Sequence, residues 1–155
     1  MAGWHVLNTD ASMPGESGDA AIGAVLRQKT RQNAPMTVIA YVSKEVGQVR
    51  LQEAEYLALI EGLKLADKHD PTNLQVFVDS AFVAEQVNDR AKIKQYMKPL
   101  LDEVRQLLQR IGEERVRISW LPRELNREAD QRAYDAFFKR VGGAWVGPGS
   151  NLRQE

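Results

Sequence analysis

The alternation of apolar and polar residues changes its period along the chain, and each change marks an element. Trp4 to Asp10 reads as a strand that ends at Asp10-Ala11-Ser12. Met13 to Gly18 is turn chemistry, with Pro14, Gly15 and Gly18. Ala20 to Gln28 and Met36 to Ser43, rich in Val, Ile and Tyr, are two further strands, separated by Gln32-Asn33-Ala34-Pro35. Short connections between three strands predict an antiparallel meander. Helical spacing then takes over from Leu51 to Lys68, and Asp70-Pro71-Thr72-Asn73 breaks it. Leu74 to Val78 is a short buried strand. Ser80 is placed to cap a short helix running to about Val87. A longer helix covers roughly Gln95 to Ile111, where Met97, Leu100, Leu101, Val104, Leu107, Leu108 and Ile111 form one apolar stripe. Val116 to Leu121 is a fifth strand, and Asn126 is placed to cap a last helix reaching about Val141.

The order β-β-β-α-β-α-α-β-α predicts an α/β domain. It has a mixed five-stranded sheet, antiparallel meander plus parallel strands, with helices on its faces. Residues 1–141 form the expected domain. Residues 142–155 are a Gly-rich tail expected to be irregular, although Trp145 offers a docking point.

Composition narrows the class. The chain has 155 residues, enough for one domain with a substantial core. No apolar run approaches the roughly 20 residues that span a bilayer, and the start lacks the basic-then-apolar pattern of a secretory signal. There are no cysteines, which excludes disulfides and thiolate metal sites and agrees with a cytoplasmic location. Two histidines are too few for a histidine-rich metal site. Lys+Arg and Asp+Glu balance at 21 each, so any basic footprint for nucleic acid must be local.

Four acids occupy costly places. Asp10 and Asp79 end strands, where ligands bind in open α/β sheets. At about 100° per residue, Glu55 shares a face with Ala58, Leu59, Gly62, Leu63 and Ala66, whereas Glu53 and Glu61 fall off it and are expected in solvent. Asp130 heads a stripe with Ala133, Tyr134 and Phe137. Taken singly, each acid reads as a cap, a turn former or a surface charge. Taken together they need partners, because two carboxylates ~4 Å apart repel by about 4 kcal/mol at an effective dielectric near 20. If they converge, they raise one another's pKa strongly unless a cation sits among them, and an all-oxygen site suits Mg²⁺ or Mn²⁺.

These segments resemble type 1 ribonuclease H, over about Val6 to Ala136. Leu7 to Ser12 looks like that family's first strand, Ala54 to Leu63 like its glutamate-bearing helix, and Val78-Asp79-Ser80 like its strand-ending Asp-Ser. Leu121 to Asp130, carrying Pro122-Arg123-Glu124, Asn126 and Ala129-Asp130, is similar to members with a short final loop. The resemblance implies two-metal hydrolysis of the RNA strand of an RNA–DNA hybrid, leaving 5′-phosphate and 3′-hydroxyl ends. It implies that Asp10 and Asp79 contact both ions and that Glu55 ligates one beside the RNA 2′-hydroxyl. Asp130 would hold the ion that activates water.

The chain departs from the family pattern in three places. The final loop has no histidine, and His5 and His69 are expected in structural or solvent roles. Leu51 and Gln52 stand where the family has paired asparagines, and Ala11 stands where it has glycine.

Arg90 to Lys98 holds four cations and no acid, either a solvated segment or a phosphate contact. Substrate contacts are expected from Ser12, Gln52, Ser80, Lys92, Lys94, Arg123 and Asn126. Trp4, Trp120 and Trp145 are expected to pack rather than stack on bases. The expected protein is a monomeric nuclease. The alternatives are a binding module of the same fold with weak or no catalysis, or a broader nuclease that also cuts double-stranded RNA.

Overall fold

The computed structural model describes residues 4–13, 19–29, 34–122, 125–127 and 143–146. β1 (Trp4–Ser12), β2 (Asp19–Lys29) and β3 (Thr37–Gln48) form the expected antiparallel meander. β3 runs past Ser43 because Lys44–Gln48, though polar, keep their backbone paired with Asp19–Ile22. Next come α1 (Leu51–Asp67), β4 (Asn73–Val78), α2 (Ala81–Val87), α3 (Lys98–Ile111) and β5 (Val116–Trp120). The helix expected from Gln95 begins as a 3₁₀ turn, Gln95–Met97, and becomes α-helical at Lys98. Pro99 lies in the first turn, where its missing N–H costs nothing. The helix expected from Asn126 to Val141 lies, beyond Arg127, outside the described residues.

The five expected strands lie in the order β5-β4-β1-β2-β3. β4 is parallel to both β1 and β5, so the three carboxyl ends share one end of the sheet. A sixth strand, β6 (Gly143–Val146), adds antiparallel to the outer edge of β3. That part of the tail is not irregular: Ala40–Ser43 offers an open ladder, and backbone pairing needs no apolar pattern.

α1 covers the face of the sheet that carries Leu7, Thr9 and Ala11. The approach is close: a Cβ on Gly62 would lie 2.8 Å from Thr9 Cγ2 and 3.0 Å from Leu7 Cδ2. α1 is buried well beyond one stripe. Ala58, Leu59, Gly62, Leu63 and Ala66 are buried as the phase predicts, and so are Tyr56, Ile60 and Leu65. The reason is that Val104, Leu108 and Ile111 of α3 join the same core from the other side. Glu61 is therefore not simply solvated: it is partly buried and pairs with Lys44 at 3.5 Å and Lys64 at 3.8 Å. Glu53 is partly buried as well.

Candidate active site at the carboxyl end of the sheet

Strand register decides which acids meet. β1 and β4 run parallel with Thr9 beside Val78. The next residues are Asp10 and Asp79, so these two acids occupy equivalent places on strands about 4.8 Å apart. Asp10 is buried, at 1% exposure, and its Oδ1 accepts the Ala11 N–H at 2.8 Å. Asp79 is partly exposed. Side chains alternate along a strand, so Asp10 shares its face with Val6 and Asn8, opposite α1.

Glu55 reaches this end from α1. Ala54, its neighbour, packs in one cluster with Ala58, Ala11, Ala20 and Ile22. The first turn of α1 is thus seated at the Ala11 corner beside Asp10. Glu55 is partly buried. Asp130 lies outside the described residues. Among the described residues, no three histidine, aspartate or glutamate side chains stand close enough together to hold a metal ion. Asp10, Glu55 and Asp79 offer carboxylate oxygens, the donor type that hard divalent cations prefer.

Asn126, four positions before Asp130, is tied down. Asn126 is buried, at 1% exposure. Its Nδ2 donates to the Thr9 carbonyl at 2.8 Å, and its Oδ1 accepts from Asn8 Nδ2 at 2.8 Å. Asn8 Oδ1 in turn accepts from Arg27 Nη1 at 3.1 Å. Burial lowers the Arg27 pKa below the ordinary guanidinium value. Asn126 was expected at the substrate; its described bonds run into the strand that carries Asp10.

The remaining expected contacts are spread around the same end. Ser12 is buried, at 8% exposure, two residues past Asp10. Gln52 is partly buried in the first turn of α1. Ser80 caps α2 as expected, its Oγ accepting the Val83 N–H at 3.2 Å. Lys92 and Lys94 are exposed, while Ile93 between them packs on the core and Met97 is fully buried. The basic segment is thus docked, not loose, and Gln86 Nε2 holds the Lys92 carbonyl at 3.1 Å. Arg123 lies outside the described residues. His5 and His69 are both buried, at the start of β1 and just past α1, away from the strand carboxyl ends. One nitrogen of His69 bonds the Leu65 carbonyl at 3.0 Å.

Two features escaped sequence reasoning. Arg50, just before α1, lies over the Tyr96 ring at 4.5 Å, linking the glutamate helix to the basic segment. Trp4 and Trp120 are exposed, not packed. Trp120 Nε1 donates to the Asp79 carbonyl at 3.2 Å. The side chain of Trp145 lies outside the described residues; its backbone pairs with Tyr41.

Comparison with known proteins agrees with this layout. Residues 8–136 match the family model described as reverse transcriptase-like. The bifunctional protein Rv2228c of Mycobacterium tuberculosis is 33% identical over 133 residues, which is 84% of this chain and 35% of that protein. The chain therefore spans about a third of that relative's length. The solved N-terminal RNase H domain of Rv2228c, a fusion with maltose-binding protein, superposes with a TM-score of 0.76 at 32% identity. That match covers 87% of this chain and 94% of that one. RNase H1 from the halophilic archaeon Halobacterium salinarum gives 0.77 at 25% identity, covering 88% and 99%. LC11-RNase H1, solved in complex with an RNA/DNA hybrid, gives 0.67 at 27% identity, again covering 88% and 99%. With a matched family model from Asn8 to Ala136 and the same mixed sheet, the chain belongs to the reverse transcriptase-like family, as a ribonuclease H-like domain.

Proposed function

We propose that this domain hydrolyses the RNA strand of RNA–DNA hybrids in a reaction dependent on two divalent ions, Mg²⁺ or Mn²⁺. The products would carry 5′-phosphate and 3′-hydroxyl ends. The observation that carries the proposal is the register of β1 against β4, which sets Asp10 beside Asp79 at the sheet end where the first turn of α1 also arrives. The solved complex of LC11-RNase H1 with an RNA/DNA hybrid supports the choice of substrate.

Asp10, Glu55, Asp79 and Asp130 would hold the ions, and their all-carboxylate donor set fits hard cations. When bound, the ions would lower the pKa of water and stabilise the attacking and leaving oxygens of an in-line displacement. The chain's own part is placement. Strand pairing orients Asp10 and Asp79, and helix phase brings Glu55. The Asn126 bonds to β1 hold the start of the segment that carries Asp130. Lys92 and Lys94, presented outward by the partly buried Ile93 and the buried Met97, are suited to the phosphate backbone. Ser12, Gln52 and Ser80 remain proposed contacts around the same end, and Arg123, outside the described residues, remains a proposed contact as well. The reading takes the domain as a monomer in a reducing compartment such as the cytoplasm, in keeping with a chain without cysteine. Among the described residues no helix is long and apolar enough to cross a membrane.

The test is end-labelled hybrid, double-stranded RNA and double-stranded DNA, each incubated with Mg²⁺ and with Mn²⁺. The proposal expects cleavage of the RNA strand of the hybrid alone. Binding without cleavage would instead mark a binding module, and equal cutting of double-stranded RNA a broader nuclease.

A further inference from the structure

Trp120 is both exposed and held in orientation. Its ring is 52% exposed, yet its indole N–H is fixed by the Asp79 carbonyl at 3.2 Å. A tryptophan kept only for packing would be covered, and one left in solvent by chance would have no reason to be oriented. β5 pairs with β4 so that Trp120 lies beside Val78, the residue before Asp79. The exposed ring therefore stands at the same sheet end as Asp10 and Asp79. Phe82, 64% exposed in the first turn of α2, and Leu125, 67% exposed past β5, add apolar surface at that end.

Trp120 also closes one end of a cleft of about 640 Å³ between α2, α3 and β5. Three arginines and three acids line this cleft, and Arg105 pairs with Asp89. The charges that line it balance in number, so what Trp120 adds is a flat apolar face. In a paired duplex the base faces cover one another. Among the parts open along a groove, the sugar rings present apolar C–H surface to such a face.

We propose that Trp120 is a substrate-positioning residue whose indole face packs against a sugar ring of the bound duplex and sets the strand in register with Asp79. This rests on the function proposed above. Trp120→Phe keeps a ring but loses the bond to Asp79, whereas Trp120→Leu loses both. A blunt-ended hybrid excludes unpaired bases. On it, Trp120→Leu should weaken binding in chelator, read by anisotropy of labelled hybrid, by about three- to tenfold. KM should rise in parallel, kcat should change little, and Trp120→Phe should retain most of the affinity. Unchanged affinity in both variants would overturn the proposal. So would an equal fall in kcat for both at constant KM, which would mark a role only in anchoring Asp79. So would an effect confined to hybrids with single-stranded overhangs, which would mean base stacking. If Trp120→Leu fails to fold, emission from Trp120 alone decides, in a Trp4→Phe, Trp145→Phe background. It should be quenched on saturation with blunt hybrid, and an unchanged spectrum would refute the contact. Failure of the wild-type chain to bind hybrid would sink the proposed function and this inference together. Binding and cleavage that are indifferent to Trp120 would sink this inference alone.

Discussion

Asn8 and Asn126, 118 positions apart, share a buried hydrogen bond of 2.8 Å that ties the segment before Asp130 to the strand carrying Asp10. Asn126 closes a second bond, to the Thr9 carbonyl, so both ends of its amide are held by β1. Replacing it by alanine leaves buried polar groups of Asn8 and Thr9 without these partners. Asn126→Ala should therefore cost about 2–4 kcal/mol of stability. The proposed site adds a second expectation: kcat should fall more steeply than the folded fraction, because the segment leading to Asp130 loses its anchor. Urea denaturation paired with hybrid cleavage at a temperature where the variant stays folded would check both. Unchanged stability would show that the two bonds are dispensable.

Gly62 is the point of closest approach between α1 and β1. A methyl group there would press on Thr9 Cγ2, the end of a buried, branched side chain with little room to turn. Alanine is worth up to about 1 kcal/mol over glycine inside a helix. Overpacking of a tight core costs about 1–3 kcal/mol. The second effect should win, so Gly62→Ala should lower stability by about 1 kcal/mol in chemical denaturation. A more stable variant would mean that α1 can lift off the sheet at no cost.

Neutralising an acid separates repulsion from ligation. In chelator, Asp10→Asn or Asp79→Asn should raise the melting temperature, since one of two neighbouring negative charges disappears. With Mg²⁺ present, either variant should lose hybrid cleavage by at least about 100-fold. A lower melting temperature in chelator would mean that the bonds each carboxylate makes outweigh the repulsion between them. Near-normal cleavage by Asp79→Asn would remove it from the proposed site.

Tyr56 supplies an alkaline signature. It is fully buried in α1, and its hydroxyl donates to Gln86 Oε1 at 2.8 Å. Burial pushes the hydroxyl up to about 12, with the Arg105 charge opposing. The folded pKa lies above the unfolded value near 10, so the contribution is complete below about pH 10. It is lost as pH rises toward about 12, and amounts to roughly 2 kcal/mol. Tyr56→Phe should flatten that loss in denaturation curves between about pH 9 and 12. It should also loosen Gln86, which holds the Lys92 carbonyl, so hybrid affinity should fall modestly. An alkaline limb identical to that of the wild type would contradict this.

Local periodicity carried much of this architecture. The strand leading to Asp10, which runs on to Ser12, the strand that stops just before Asp79, the Ser80 cap, the α3 stripe and the buried stripe of α1 all follow from residues a few positions apart. Burial repeats every two residues in a strand and every 3.6 in a helix, and the sequence records both periods. Other features depend on segments far apart in the chain. β4 lies beside β1, not beside β3, which precedes it, and only that choice sets Asp79 next to Asp10. β6 was hidden because a ladder of backbone bonds leaves no mark on side-chain pattern. Asn126, which reads as a helix cap and substrate contact, became a tether once Asn8 was opposite it. The Arg50–Tyr96 contact and the exposure of Trp120 likewise arise from pairings dozens of residues apart. The acids themselves and the elements that carry Asp10, Glu55 and Asp79 were legible along the chain; which acids become neighbours was decided by non-local backbone pairing, whose register no local period encodes.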